Sequence, residues 1–271
     1  MALKVAAVSY FNTVPFVKGL QSYFTPSELN LLLAPPSQCI RAFKENIADV
    51  ALVPTGALPD LNGYVSTDGW YVLDKFCIGA LEEVGSVFLF AHSPLEQLKI
   101  IYLDPHSRTS NGLFKVLSAF YWKQKYLYQN QPDHWQNIHG RNGGIVIGDK
   151  AIAIKPQFPY AYDLALAWRQ FSFLPFVFAV WVVRINKVPD FYLSKIAQAF
   201  QDGLEHKLEW AKVEASRYGF TQDFAQTYYE KYIDFELDDV KKNAIHLYLS
   251  YLAQIEHFEL PTFRYYWPQT F

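Results

Sequence analysis

Two runs of this chain are apolar on both faces of an extended strand. In Ser86-Val87-Phe88-Leu89-Phe90-Ala91, Val87 and Leu89 point to one side while Phe88 and Phe90 point to the other. The run Phe176 to Val183 is apolar in the same two-sided way. Such strands must be covered on both faces, as in the middle of α/β sheets. Shorter strand-like and helix-like patterns alternate before and between them, which is the mark of a mostly parallel sheet wrapped by helices. The economical reading makes the two runs crossovers between lobes. Lobe one is then 1–90 plus 184–271, lobe two is 91–183, and a ligand cleft lies between them.

The individual elements follow from pattern and punctuation. Leu3 to Ser9, Glu28 to Ala34, Asp49 to Val53 and Trp70 to Ile78 read as strands. Phe16 to Tyr23 reads as a helix after Pro15, and Ser37 as the cap of a helix ending near Lys44. The middle set is a strand Ile100 to Leu103, a helix after Ser110, a strand from Gly144 into Gly148-Asp149, and a helix Tyr162 to Phe171. From Pro189 onward the pattern is purely helical, over Phe191–Glu214, Thr221–Tyr232 and Leu237–Ala253.

Composition narrows the class. Apolar residues make up 51% and charged residues 18% of the chain, enough to bury a large core. A net charge of −2 without a basic stripe argues against a nucleic-acid partner. Cys39 and Cys77 are too few and too far apart for a disulfide framework, which fits a reducing compartment. The first residues lack a charged leader followed by an apolar core, and Phe173 to Val183 is interrupted by Pro175 and too short to span a bilayer. The expectation is a soluble cytoplasmic protein, a monomer or weak homodimer, with no membrane or nucleic-acid partner.

Loops after strands in such sheets face the cleft. Four polar segments therefore converge: Ser9–Pro15, Pro54–Gly56, Ser107–Ser110 and Gly148–Lys150. Ser107-Arg108-Thr109-Ser110 joins a strand to a helix start, where unpaired N–H groups and hydroxyls can receive a carboxylate or phosphate. The plainer alternative is that Thr109 or Ser110 only caps the helix. Asn12 can hydrogen-bond a polar ligand or its own turn. Asp149 is a base or an N-cap, and Arg108 is a charge partner for an acid or a solvated side chain. His106 sits beside the anion loop, and Arg141-Asn142-Gly143-Gly144 is a turn before a strand. His92, His106, His134, His139, His206, His246 and His257 show no metal-ligand spacing, so neither metal nor cofactor is expected. Nucleotide-loop and hydrolase signatures are missing as well.

Several blocks together resemble one family. They are Ser9-Tyr10-Phe11-Asn12-Thr13-Val14-Pro15, Ser86 to Phe90, Leu103-Asp104 leading to Ser107–Ser110, Val146 to Ala151, Tyr162-Asp163-Leu164, and Trp168-Arg169 through Trp181. In this order they resemble the chorismate dehydratases of the futalosine route to menaquinone. The resemblance implies an α/β, two-lobed fold like the type 2 periplasmic solute-binding proteins, with two crossover strands and a helical C-terminal segment. It implies chorismate as substrate, with water and 3-[(1-carboxyvinyl)oxy]benzoate as products.

Such an elimination delocalises charge onto the ring carboxylate and expels a hydroxyl, so the site must grip both. Asn12 and Ser86 suit the orienting and leaving-group roles, and Asp149 is the protein's candidate base beside the substrate's own enolpyruvyl carboxylate. Substrate binding is expected from Ser9, Thr13, Thr55, Ser107, Arg108, Thr109, Ser110 and Gly148. Pro54-Thr55-Gly56-Ala57-Leu58 departs from the serine-bearing pattern usual there. Two rivals are the sister enzyme that closes a naphthoate ring, which typically opens on a Ser-Pro-Cys-Pro-Asn-Asp-like loop, and a non-catalytic binder of a small aromatic acid. The aromatic end, Phe263 to Phe271, packs on lobe one in this reading.

Overall fold

A computed structural model describes residues 2–62, 69–130 and 135–268. Two sheets organise it. The first lobe opens with β1 (Leu3–Val8), α1 (Val14–Tyr23), β2 (Leu29–Ala34), α2 (Pro36–Lys44), β3 (Val50–Pro54) and β4 (Tyr71–Ala80). The second lobe holds β5 (Val87–Ala91), β6 (Ile100–Leu103), α3 (Arg108–Val116), β7 (Leu127–Asn130), β8 (Asn142–Ile147), α4 (Gly148–Ile154), β9 (Tyr160–Asp163) and α5 (Leu164–Ser172). The chain then returns through β10 (Phe176–Val183) to α6 (Asp190–Glu205), α7 (Lys207–Glu214), α8 (Gln222–Thr227), β11 (Asp234–Leu237), α9 (Asp239–Glu256) and β12 (Tyr265–Tyr266).

The first sheet has the order β11-β4-β10-β3-β1-β2, with β12 added alongside β4. The second has the order β7-β6-β8-β5-β9. β1 runs parallel to β2 and β3, while β10 returns antiparallel between β3 and β4. Both two-sided runs are buried as their patterns require, but each stays within one sheet: β5 in the second, β10 in the first. The chain thus passes between sheets at residues 81–86 and 173–175, ahead of the runs and not along them.

Local chemistry fixes both passages. Asp163 caps α5 by accepting the Ala165 and Leu166 N–H groups at 3.0 and 3.1 Å, and it also accepts those of Val84 and Gly85 at 3.1 and 2.8 Å. Phe173 closes α5 in the left-handed region, with φ of 62°, turning the chain into β10. In the first lobe α1 and α6 meet backbone to backbone. A Cβ on Gly19 would lie 1.8 Å from the Ala199 carbonyl oxygen, and one on Gly203 would lie 2.1 Å from that of Pro15. No side chain fits at either position, so these glycines fix how closely α1 sits.

Several boundaries differ from those the sequence suggests. Tyr162 to Phe171 divides into the end of β9 and then α5, because Asp163, not a residue before Tyr162, supplies the cap. Pro35 precedes α2 and Ser37 lies inside it, without a capping bond. The C-terminal third is not purely helical: β11 and β12 both pair with β4. β7, an exposed strand at the edge of the second sheet, has too little apolar patterning to be read in advance. Within the aromatic end, Phe263 packs edge-on to Trp70 at 6.4 Å and Trp267 lies 5.7 Å from Phe76, while residues 269–271 fall outside the described part. Among the described residues no helix is long and apolar enough to cross a membrane.

Candidate functional site

A narrow cleft opens where the two sheets face each other. It holds about 540 Å³ not filled by protein, part of it open to solvent. Its walls are largely apolar, with Leu52, Ile78, Ile147 and Phe178 among them. Its polar groups come from three of the four segments expected to converge: Tyr10, Asn12 and Thr13; Ser107, Thr109 and Ser110; and Gly148, joined by Ser86. Pro54 represents the fourth segment.

Ser86 is tied to a residue from outside these segments, and Asn12 to its own neighbour. Tyr228 is fully buried, and its hydroxyl donates to Ser86 Oγ at 2.8 Å. Thr13 Oγ1 donates to Asn12 Oδ1 at 3.2 Å, which leaves the Asn12 amide nitrogen as a donor. Ser86 Oγ has only a long contact of its own, 3.5 Å to the Val84 carbonyl. Burial drives the Tyr228 phenol well above its ordinary range, so it remains protonated at neutral pH.

The hydroxyl chemistry at α3 differs from the expectation. Ser107, not Thr109 or Ser110, caps this helix, its Oγ accepting the Ser110 N–H at 3.1 Å. Thr109 lies in the first turn, and its hydroxyl accepts the Gly56 N–H at 3.0 Å while donating to the Phe178 carbonyl at 3.1 Å. Both partners lie outside the second sheet, so Thr109 fastens the lobes together. Tyr248 of α9 reinforces the clasp by donating to the Thr109 carbonyl at 3.0 Å. Ser110 Oγ has no partner among the described residues and lines the cleft.

Asp149 also joins the halves. Its two carboxylate oxygens accept the Phe11 N–H at 3.1 and 3.2 Å, and it is not among the residues lining the cleft. Burial raises its carboxyl to about 6, partly opposed by the Phe11 bond. Gly148, just before it, has φ of +68°, donates its N–H to the Ser86 carbonyl at 2.8 Å and lies against Tyr10. A Cβ there would come within 3.1 Å of the Tyr10 ring, so glycine answers both the backbone and the contact.

Three expected binders lie elsewhere. Arg108 is paired with Glu256 of α9 at 2.7 Å, alongside Lys115 at 2.8 Å. Ser9 borders a separate small pocket with Lys18 and Arg217. Thr55 is buried, and its Oγ1 has no hydrogen-bond partner, but it does not line the cleft. His106 is exposed in an outer groove, 3.3 Å from Ser37 Oγ, and His134 lies outside the described residues. Among the described residues no three His, Cys, Asp or Glu side chains are grouped to hold a metal ion.

Tyr228 and its neighbour Tyr229, which hold Ser86 and Phe11 beside the cleft, are what pattern reading misses. They open a π-turn, Tyr228–Tyr232, that continues α8. Their signal in the sequence was weak: two tyrosines on an amphipathic helix read as core, although a buried phenol always needs a partner for its hydroxyl.

Comparison with known proteins agrees with this architecture. Among solved structures, a protein from Archaeoglobus fulgidus superposes with a TM-score of 0.72 at 15% identity, covering 94% of this chain and 98% of its own. A Candida albicans protein described as having the generic periplasmic binding protein fold superposes at 0.63 and 14% identity, over 97% and 99% of the two chains. The ligand-binding component of a Staphylococcus aureus ABC-type importer does so at 0.67 and 13%, over 97% and 96%. These likenesses establish the two-lobed α/β fold. In sequence, the chain is 31% identical over 170 residues to the chorismate dehydratase of Thermus thermophilus, a match spanning 56% of this chain and 62% of that relative, less than two thirds of its length. A family model described as menaquinone biosynthesis matches residues 3–254, and the chain belongs to that menaquinone-biosynthesis family.

Proposed function

We propose that this chain is a chorismate dehydratase, eliminating water from chorismate to give 3-[(1-carboxyvinyl)oxy]benzoate in the futalosine route. The observation that carries the reading is the make-up of the cleft. It offers neutral hydrogen-bond donors on apolar walls, and among the described residues no carboxylate, histidine or lysine lines it. A flat dianion with a ring hydroxyl suits such a lining, since each added carboxylate would repel it.

In this scheme Ser110 and the first-turn amides of α3 receive one carboxylate. Asn12 orients the ring, and the Ser86 hydroxyl donates to the departing oxygen. The proton beside the enolpyruvyl ether passes to the substrate's own enolpyruvyl carboxylate. The electron pair left behind spreads through the diene to the ring carboxylate, then returns to form the new ring double bond as the hydroxyl leaves, which departs as water on taking up the proton the enolpyruvyl carboxylate had abstracted. Preorganised donors aimed at charge that grows during the reaction are the main source of acceleration in such a site. Asp149 supports this assignment of the base by its position, since its carboxylate is held by Phe11 outside the cleft. The reaction uses no cofactor, and the reading places it in the cytoplasm, in a monomer or weak homodimer.

Purified protein mixed with chorismate and followed by liquid chromatography and mass spectrometry tests this. Loss of one water with appearance of an aromatic enol ether is the expected result. Chorismate recovered intact beside a folded protein that binds it saturably overturns the activity and leaves a binding protein. Turnover retained in Asp149→Asn is expected for the substrate-assisted scheme, whereas its collapse with folding intact assigns the base to Asp149.

A further inference from the structure

We infer that Tyr228 is a positioning residue that sets the hydrogen-bond direction of Ser86, and that the π-turn from Tyr228 to Tyr232 places it. The inference rests on the dehydratase reading for its kinetic consequence, but its geometry stands independently.

Three observations converge on one point. The Tyr228 hydroxyl touches one of the cleft's polar residues directly, donating to Ser86 Oγ at 2.8 Å. A phenol has one proton, and here it goes to Ser86. The Ser86 hydroxyl, having accepted, must donate in another direction, and its protein alternative lies 3.5 Å away at Val84. Its proton is therefore left for a ligand in the cleft. Chains of this kind polarise one another, so each donor strengthens the next.

The second observation is the backbone that delivers the tyrosine. Residues 228–232 form a π-turn at the end of α8, a conformation in which one extra residue is accommodated per turn. Its successive phenols are held by partners far away in the sequence: the Tyr229 hydroxyl donates to the Phe11 carbonyl and the Tyr228 hydroxyl to Ser86. The third is the surrounding aromatic packing. Tyr228 lies between Phe224 at 5.8 Å and Phe11 at 6.0 Å, both near parallel, so its ring is held independently of its hydroxyl.

That last point makes the test clean, because Tyr228→Phe keeps the ring and removes only the hydroxyl. Exchange of the Tyr228 hydroxyl proton, measured by NMR, does not depend on any activity. Slow exchange in the parent protein that becomes at least about tenfold faster in Ser86→Ala is expected; equal exchange in the two overturns the inference. With chorismate, kcat of Tyr228→Phe is expected to fall roughly tenfold while KM changes little. In a Ser86→Ala background the same substitution should lower kcat by far less, since the hydroxyl it aims is gone. Unchanged kcat in Tyr228→Phe, or full additivity with Ser86→Ala, overturns the kinetic role. If the parent protein leaves chorismate intact, the dehydratase reading fails, and the hydroxyl exchange still decides the positioning.

Discussion

The polar residues around the cleft divide into two groups that look alike in sequence and differ in what their atoms already hold. Ser86 and Ser110 keep hydroxyl protons or lone pairs for a ligand. Thr109 and Asp149 have theirs engaged with the opposite lobe, at Gly56 and Phe178 for the one and Phe11 for the other. The comparison separates a ligand-facing set from a clasp. It also shows that a hydroxyl at a cleft edge is diagnostic only after its partners are known, since a satisfied donor has nothing further to offer.

Four substitutions sharpen this division. Ser86→Ala strikes the ligand-facing set and is expected to lower turnover of chorismate by about a hundredfold or more, read by product formation, with a loss of about 1–3 kcal/mol in stability because the buried Tyr228 hydroxyl loses its acceptor. A drop in stability with turnover preserved would move Ser86 into the clasp. Thr109→Val strikes the clasp, removing an acceptor and a donor and leaving the Gly56 N–H buried without a partner. Urea unfolding should register a loss of about 2–4 kcal/mol.

Asp149→Asn tests the other clasp through its pH dependence. The carboxyl rises from 3.8 to about 6 because burial disfavours its charge. Between those values the unfolded chain releases the proton and the folded one retains it, so stability falls as pH rises from about 4 to 6 and is flat above. The asparagine keeps an acceptor for Phe11 without the buried charge. It is expected to be the more stable protein at pH 7.5 by about 2 kcal/mol, with the advantage vanishing near pH 4, as thermal unfolding at the two values will show. Arg108→Ala should have the smallest effect, below about 1 kcal/mol, because its pair with Glu256 is half open to water and Lys115 holds the same carboxylate.

Much of the molecule was legible in advance. The two-sided runs Val87–Ala91 and Phe176–Val183 could only be central strands, and Asn12 and Ser86 stood in blocks specific enough to be assigned to a cleft. The sheet to which each run belongs was not legible, because the pattern of one strand says nothing about its neighbours. Arg108 illustrates a second limit. Its partner Glu256 lies far along the chain on α9, and no local spacing links them. Tyr228 illustrates a third, since a π-turn shifts every later side chain by one position and carries no composition of its own. Ser37 and Ser107 show a fourth: each precedes or begins a helix, yet only Ser107 caps, because Pro35 had already set the entry to α2.

The anchoring of Val84 and Gly85 on Asp163 has a consequence for how the cleft is assembled. It fixes the passage next to Ser86 to the second sheet, whereas Asn12 follows β1 of the first. The bond from Tyr228 to Ser86 therefore ties the C-terminal helices to the strand that enters the second sheet. The ligand-facing group is a composite that neither sheet carries alone, so its precision is that of the fit between the two.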